Sequence, residues 1–85
     1  MEARRRKLQF RASRRGFREM DLIMGQFANT YIDQMSDSEL DEFEQLHRLP
    51  DWDVYQWIIG ETSAPAETQG PVLDRLREFR YDPRG

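Results

Sequence analysis

The chain has 85 residues, 38% of them hydrophobic, and a formal net charge of −3. That length supports one core, burying roughly 60–65% of the unfolded surface, and argues against an additional deep cavity on the order of a few hundred Å³. There is no cysteine, so disulfides, thiolate metal sites and cysteine nucleophiles are excluded together.

Residues 1–18 are strongly basic, with eight Arg or Lys against Glu2. The spacing predicts a short basic helix over 4–14, with apolar Leu8, Phe10 and Ala12. Gly16 is expected to stop it in the left-handed cap conformation that glycine reaches at little cost. Over 17–32 the helical pattern is clearest: Phe17, Met20, Ile23, Met24, Phe27, Ala28, Tyr31 and Ile32 recur at steps of three and four. Ser36-Asp37-Ser38-Glu39 reads as a capping box with Ser36 as N-cap. The helix it opens should bury Leu40, Phe43 and Leu46 and turn an acidic face outward. Leu49-Pro50-Asp51 breaks that helix. Asp51 is expected to cap the next one, which carries Trp52, Val54, Tyr55, Trp57, Ile58 and Ile59 and stops at Gly60.

Residues 61–70 read as a polar loop. Pro71 suits a first helical position, so a last helix is expected over 71–80, with Val72, Leu73, Leu76 and Phe79 inward. The basic arm 1–7 and the tail 81–85 are expected to fray. Nothing alternates with period two for long enough to form a strand. The expected architecture is a single all-α domain over 1–85, a compact bundle of four to five short helices. No apolar run approaches the ~20 residues of a membrane span, and the basic start is not followed by an apolar signal segment. The expectation is a mature, soluble, intracellular chain.

The basic start contrasts with residues 19–53, where ten Asp or Glu face Arg48 alone. The two blocks attract within the fold or meet different parts of a partner. His47, the one histidine, is expected to sit partly exposed near a helix end and assist the dipole. Without cysteine it cannot complete an ordinary zinc site. The cluster Asp37, Glu39, Asp41, Glu42 and Glu44 lacks the spacing and glycine of a calcium loop and reads as a solvated helix face. No P-loop, dinucleotide fingerprint or nucleophile elbow is present, so neither catalytic nor metal-ligating residues are assigned. The arginines could neutralise phosphates, but a pI near 5.1 and the lack of any nucleic-acid-binding motif argue against that partner. Trp52 and Trp57 are five positions apart and cannot share the centre of one helical face. One of them can stand exposed, where tryptophan often anchors a protein contact.

The junction Arg14-Arg15-Gly16-Phe17-Arg18-Glu19-Met20-Asp21 is the most informative stretch. The helix dipole explains Glu19 in a first turn. It does not explain arginines flanking a glycine at a helix start, where positive charge is disfavoured. A choice unfavourable locally points to a ligand outside the chain.

That junction resembles the RGxxE signature of the SdhE family, the flavinylation or FAD assembly factors of succinate dehydrogenase. Leu49-Pro50-Asp51-Trp52-Asp53-Val54-Tyr55-Gln56-Trp57-Ile58 resembles the family's second segment. The resemblance covers residues 4–80. It implies a bundle of about five short helices in the bacterial cytoplasm or the mitochondrial matrix. It also implies binding to the flavoprotein subunit of succinate dehydrogenase, and of fumarate reductase, to promote covalent attachment of FAD to a histidine of that subunit. The family's interaction residues carry over onto Arg15, Gly16 and Glu19, with Arg18, Asp21, Trp52 and Tyr55 at the rim. On this reading Arg15 pairs with a partner carboxylate or carbonyl. The chain is a monomeric accessory factor, not an enzyme, and meets FAD through its client without holding it stably. The alternative is a small antitoxin-like or regulatory protein-binding module; an RNA-binding helical module stands behind it.

Overall fold

The computed structural model describes residues 2–85; Met1, part of the arm 1–7, lies outside the described residues. Five α-helices follow in order: α1 (Ala3–Ala12), α2 (Arg18–Tyr31), α3 (Asp37–Arg48), α4 (Asp51–Ile59) and α5 (Pro71–Glu78). Single 3-10 turns lie at Ile32–Gln34 and Ala66–Thr68, and no strand occurs among the described residues. Extents of 34 × 31 × 20 Å describe a slab two helices thick, since a helix with its side chains is about 10 Å across. α1 lies on α2 and α3, and α5 lies on α3 and α4.

The apolar stripe of α2 supplies much of the core: Met20, Ile23, Met24, Phe27 and Ala28 are buried, joined by Ile32 just beyond the helix. Phe27 is fully enclosed and meets Phe43 of α3 and Phe79 beyond α5, with ring centroids 5.7 and 5.5 Å away. Leu40, Phe43 and Leu46 line the inner face of α3, while Val72, Leu73 and Leu76 close the far side. Phe79 is half-buried against this core. Gly25 sits mid-helix in α2, where a Cβ would lie 3.2 Å from Ser13 Cα. Its missing side chain lets the end of α1 cross α2 closely, which offsets the ~0.5–1 kcal/mol that a helical glycine costs relative to alanine.

The expected stops and starts are mostly present. Ser36 and Glu39 form a reciprocal capping box, Gly60 ends α4 at φ 83, and Pro71 opens α5. Two differ. α1 ends at Ala12, not at Gly16: the Ser13 N–H donates to the Arg11 carbonyl and Ser13 Oγ to the Phe10 carbonyl at 3.0 Å. Serine thus satisfies the last carbonyls, and Gly16 lies outside the positive-φ glycines, Gly60 and Gly85. Asp51 is also not the N-cap of α4. Pro50 holds that position without a side-chain bond, because the Asp51 carboxylate is engaged elsewhere, as described below.

Among the described residues, the ends expected to fray are held to the bundle. Residues 3–7 belong to α1, where Arg4 bonds Asp41 and Glu44 of α3 at 2.5 and 3.0 Å. The basic and acidic blocks therefore meet inside the fold. The tail lies along α2: Gln26 exchanges two hydrogen bonds with the Asp82 backbone, at 2.8 and 2.7 Å. Phe10 faces outward, 58% exposed, with the Arg14 guanidinium over its ring.

α5 begins on a carboxylate borrowed from α3. Glu42 accepts hydrogen bonds from the Val72 and Leu73 N–H groups at 3.1 and 3.0 Å, filling the donor positions that a helix start leaves open. The carboxylate occupies the space a Gly70 side chain would take, 2.6 Å from an ideal Cβ. A surface cleft of about 440 Å³, lined by Leu46, Leu49, Glu67, Thr68 and Gln69, opens between α3 and the 61–70 loop.

Candidate functional site

The segment between α1 and α2 is anchored from both ends. At its start the Arg15 N–H donates to Asp21 Oδ1, a first-turn carboxylate of α2. The Arg15 side chain turns away from solvent towards the α3–α4 corner. Its Nε donates to Asp51 Oδ1 at 3.0 Å and its Nη2 to the His47 carbonyl at 2.6 Å. Nη2 also lies 3.0 Å from Asp51 Oδ1, with the two side chains only 12% and 22% exposed. One guanidinium thus satisfies a carbonyl in the last turn of α3, where cations are favoured, and neutralises an acid in the first turn of α4. Arg15 and Glu19 are not bonded to each other.

Gly16 follows, exposed. The reason for glycine here is space: an ideal Cβ would lie 3.1 Å from Asp51 Oδ2, tight enough to press on the ion pair. Phe17, the N-cap of α2, then lands on the outer face of α4. Its ring is 5.8 Å from Trp52 and 5.1 Å, edge-on, from Tyr55; Trp52 and Tyr55 are 5.8 Å apart. Trp52 is 57% exposed, whereas Trp57 is buried. The five-residue spacing therefore resolves with Trp52 outward.

The structure brings Arg15, Gly16, Trp52 and Tyr55 to one corner and divides the rest. Glu19 is exposed and makes no hydrogen bond or ion pair among the described residues. Arg18 is exposed and donates to the Pro83 carbonyl at 3.1 Å, towards the tail. Asp21 is half-buried and occupied with the loop backbone. Two members of the corner were not singled out from sequence. Phe17 read as one more apolar position of α2. Asp51 read as a cap, and its partner lies 36 residues away.

His47 departs from its expected role. Its Nδ1 donates to the Phe43 carbonyl at 2.7 Å, and Nε2 is buried without a hydrogen-bond partner. Desolvation, reinforced by Arg15 and Arg11 against the opposing pull of the Phe43 carbonyl and Asp51, lowers its pKa to about 4. At neutral pH the ring is uncharged and lends nothing to the helix dipole. It packs edge-on against Phe43, 4.4 Å between centroids.

The corner is a shallow, exposed, mixed surface and suits a protein contact. Among the described residues no group of three His, Cys, Asp or Glu side chains is placed to hold a metal ion. No helix there is long and apolar enough to cross a membrane.

Residues 6–80 match the model of a family described as flavinator of succinate dehydrogenase. The chain is similar to the FAD assembly factor SdhE of Acetobacter pasteurianus, 37% identical over 85 residues, covering 100% of this chain and 78% of that protein. It is similar to the mitochondrial succinate dehydrogenase assembly factor 2 of Danio rerio, 33% identical over 81 residues, covering 93% of this chain and 51% of that protein. The Meyerozyma guilliermondii protein of the same name is 43% identical over 56 residues, 66% of this chain and 42% of its own length. The chain thus spans about half, or less, of the length of these two mitochondrial relatives.

Proposed function

The chain belongs to the family of flavinators of succinate dehydrogenase, and from that premise we propose that it docks through the α1–α2 junction onto the flavoprotein subunit of that enzyme, or of fumarate reductase, and promotes covalent FAD attachment there. The observation that carries this reading is the corner itself. An exposed glycine and an exposed Trp52 belong to it, held by an Arg15 clamp that ties three helices, and an uncommitted carboxylate, Glu19, follows Gly16 by three residues.

FAD, bound in the client, would supply the reactivity for its attachment to a client histidine, at the 8α methyl carbon of the isoalloxazine. The cleft described above does not suit the dinucleotide. The cleft under the 61–70 loop is lined by the Glu42 and Glu67 carboxylates, which repel a pyrophosphate. The chain contributes alignment, which is worth several kcal/mol in general. It does so by binding one client conformation more tightly than the others, so a tenfold preference raises the competent population at most about tenfold. Gly16 and Glu19 form the contact, and Arg15 acts from behind by holding the loop. The chain works as a monomeric accessory factor in the bacterial cytoplasm or the mitochondrial matrix.

Co-expression with the flavoprotein subunit, followed by in-gel flavin fluorescence of the denatured client, tests this. Glu19→Ala and Gly16→Arg should each strongly reduce covalent flavin. Glu19→Ala is the cleaner variant, because that side chain makes no hydrogen bond or ion pair among the described residues and gives the fold only its first-turn interaction with the dipole of α2. Undiminished fluorescence with both variants folded would sink the assignment.

A further inference from the structure

Phe17, Trp52 and Tyr55 form a three-ring platform on which Trp52 alone is largely uncovered. Two carboxylates adjoin it in the chain: Glu19, two residues past Phe17, and Asp53, next to Trp52. Both are exposed and neither has a hydrogen-bond or ion-pair partner among the described residues. Of the other charges close to them in sequence, Asp51 is paired with Arg15, while Asp21 and Arg18 keep their charge on bonds with the Arg15 N–H and the Pro83 carbonyl. The helix dipole accounts for an acid in the first turn of α2 and of α4. It does not account for an indole left in water, in a chain that buries Trp57, Phe27 and Phe43 in one core.

We propose that this platform seats an arginine side chain of the partner protein, an inference that rests on the docking reading above. A guanidinium suits it in both dimensions. It stacks flat on an aromatic face, and its in-plane fork reaches carboxylates at the rim. Lysine offers only a point charge, and an apolar side chain would leave both acids without use. The partner surface is therefore expected to present an exposed arginine within a cationic segment.

The experiment has two arms that fail independently. In the first, the full chain is titrated with the purified flavoprotein subunit of succinate dehydrogenase. Trp52→Ala should weaken binding about 10–30-fold and Trp52→Phe by less than about 5-fold, as expected for a desolvated cation–π contact that a phenyl ring retains in part. The double variant Glu19→Gln/Asp53→Asn should weaken it about 5-fold or more and flatten its salt dependence. In the second arm, hexa-arginine and hexa-citrulline are added to the chain alone while tryptophan emission is followed. Hexa-arginine should perturb the exposed Trp52 of the wild type far more than that of the double variant, and hexa-citrulline should perturb neither. If the flavoprotein binds wild type, Trp52→Ala and the double variant alike, the arginine seat is overturned while the docking reading stands. If hexa-arginine shows the expected pattern but the flavoprotein does not bind the wild type, the docking reading falls and the cation seat is supported. Loss of binding in Trp52→Ala with no effect of the carboxylate variants on affinity or salt dependence overturns the proposal in favour of an apolar occupant.

Discussion

Replacing Arg15 by alanine separates an inward role from an outward one. The guanidinium donates to Asp51 and to the His47 carbonyl at 2.6–3.0 Å. At about 4 Å between charge centres and an effective dielectric near 20, the Coulomb attraction is about 4 kcal/mol. Desolvation of two largely covered side chains cancels much of that, which leaves a net coupling of ~1–2 kcal/mol, above the ~0–1 kcal/mol of exposed pairs. The His47 carbonyl, left without its charged donor, adds ~1–2 kcal/mol. Arg15→Ala should therefore destabilise the fold by about 2–4 kcal/mol. In a domain of this size that lowers Tm by ~10–20 °C, a large share of a total stability on the order of 4–13 kcal/mol. Asp51→Ala should cost less, because it leaves the bond to the carbonyl. In a double-mutant cycle followed by urea denaturation and circular dichroism, the coupling should reach at least ~1 kcal/mol. Arg15→Lys should not rescue, since an ammonium cannot span both acceptors. If Arg15→Ala changes stability by less than ~0.5 kcal/mol, the range of an unremarkable surface substitution, the guanidinium is free in solution and available to a partner, and the clamp is refuted.

His47 makes stability depend on pH in a window of its own. Its folded pKa of about 4 lies below the ordinary value of 6.5, so between these two the unfolded chain binds the proton and the folded one does not. The stabilisation is complete above pH 6.5 and is lost as pH falls towards 4, about 3 kcal/mol in all and about 2 kcal/mol between pH 7 and 5. Glu39, its pKa lowered chiefly by the Ser36 backbone bond, contributes with the same sign only at more acid pH. Urea titrations at pH 7 and 5 should show the loss in wild type and not in His47→Gln; equal slopes would disprove it. Gly70→Ala should cost about 2–3 kcal/mol, because the new Cβ displaces the Glu42 carboxylate from two charge-assisted bonds at the start of α5. The same change in a Glu42→Ala background should cost far less; additive effects would show that the carboxylate is not what excludes the side chain.

Much of the helical order was legible before any coordinate, because its signals are local. The three- and four-residue steps of α2, the Ser36–Glu39 box, Gly60 after α4 and Pro71 at the start of α5 act within one or two turns of chain. That one tryptophan could stand exposed was readable from helical geometry; the packing of α4 decided that it is Trp52. The misreadings involve side chains that bond far along the sequence. Asp51 looked like a cap because its competing partner, Arg15, is 36 residues away. The first and last residues looked frayed because Arg4 reaches α3 and the Asp82 backbone reaches Gln26, 56 residues back. His47, partly exposed as expected, looked charged because nothing nearby in sequence announces that its Nε2 is enclosed without a partner. Local chemistry thus determined which residues form helices and where most of them stop. Only the packing of those helices decided which charges are consumed inside the fold and which are left to face a partner, because desolvation and ion pairing depend on neighbours that proximity along the chain does not supply.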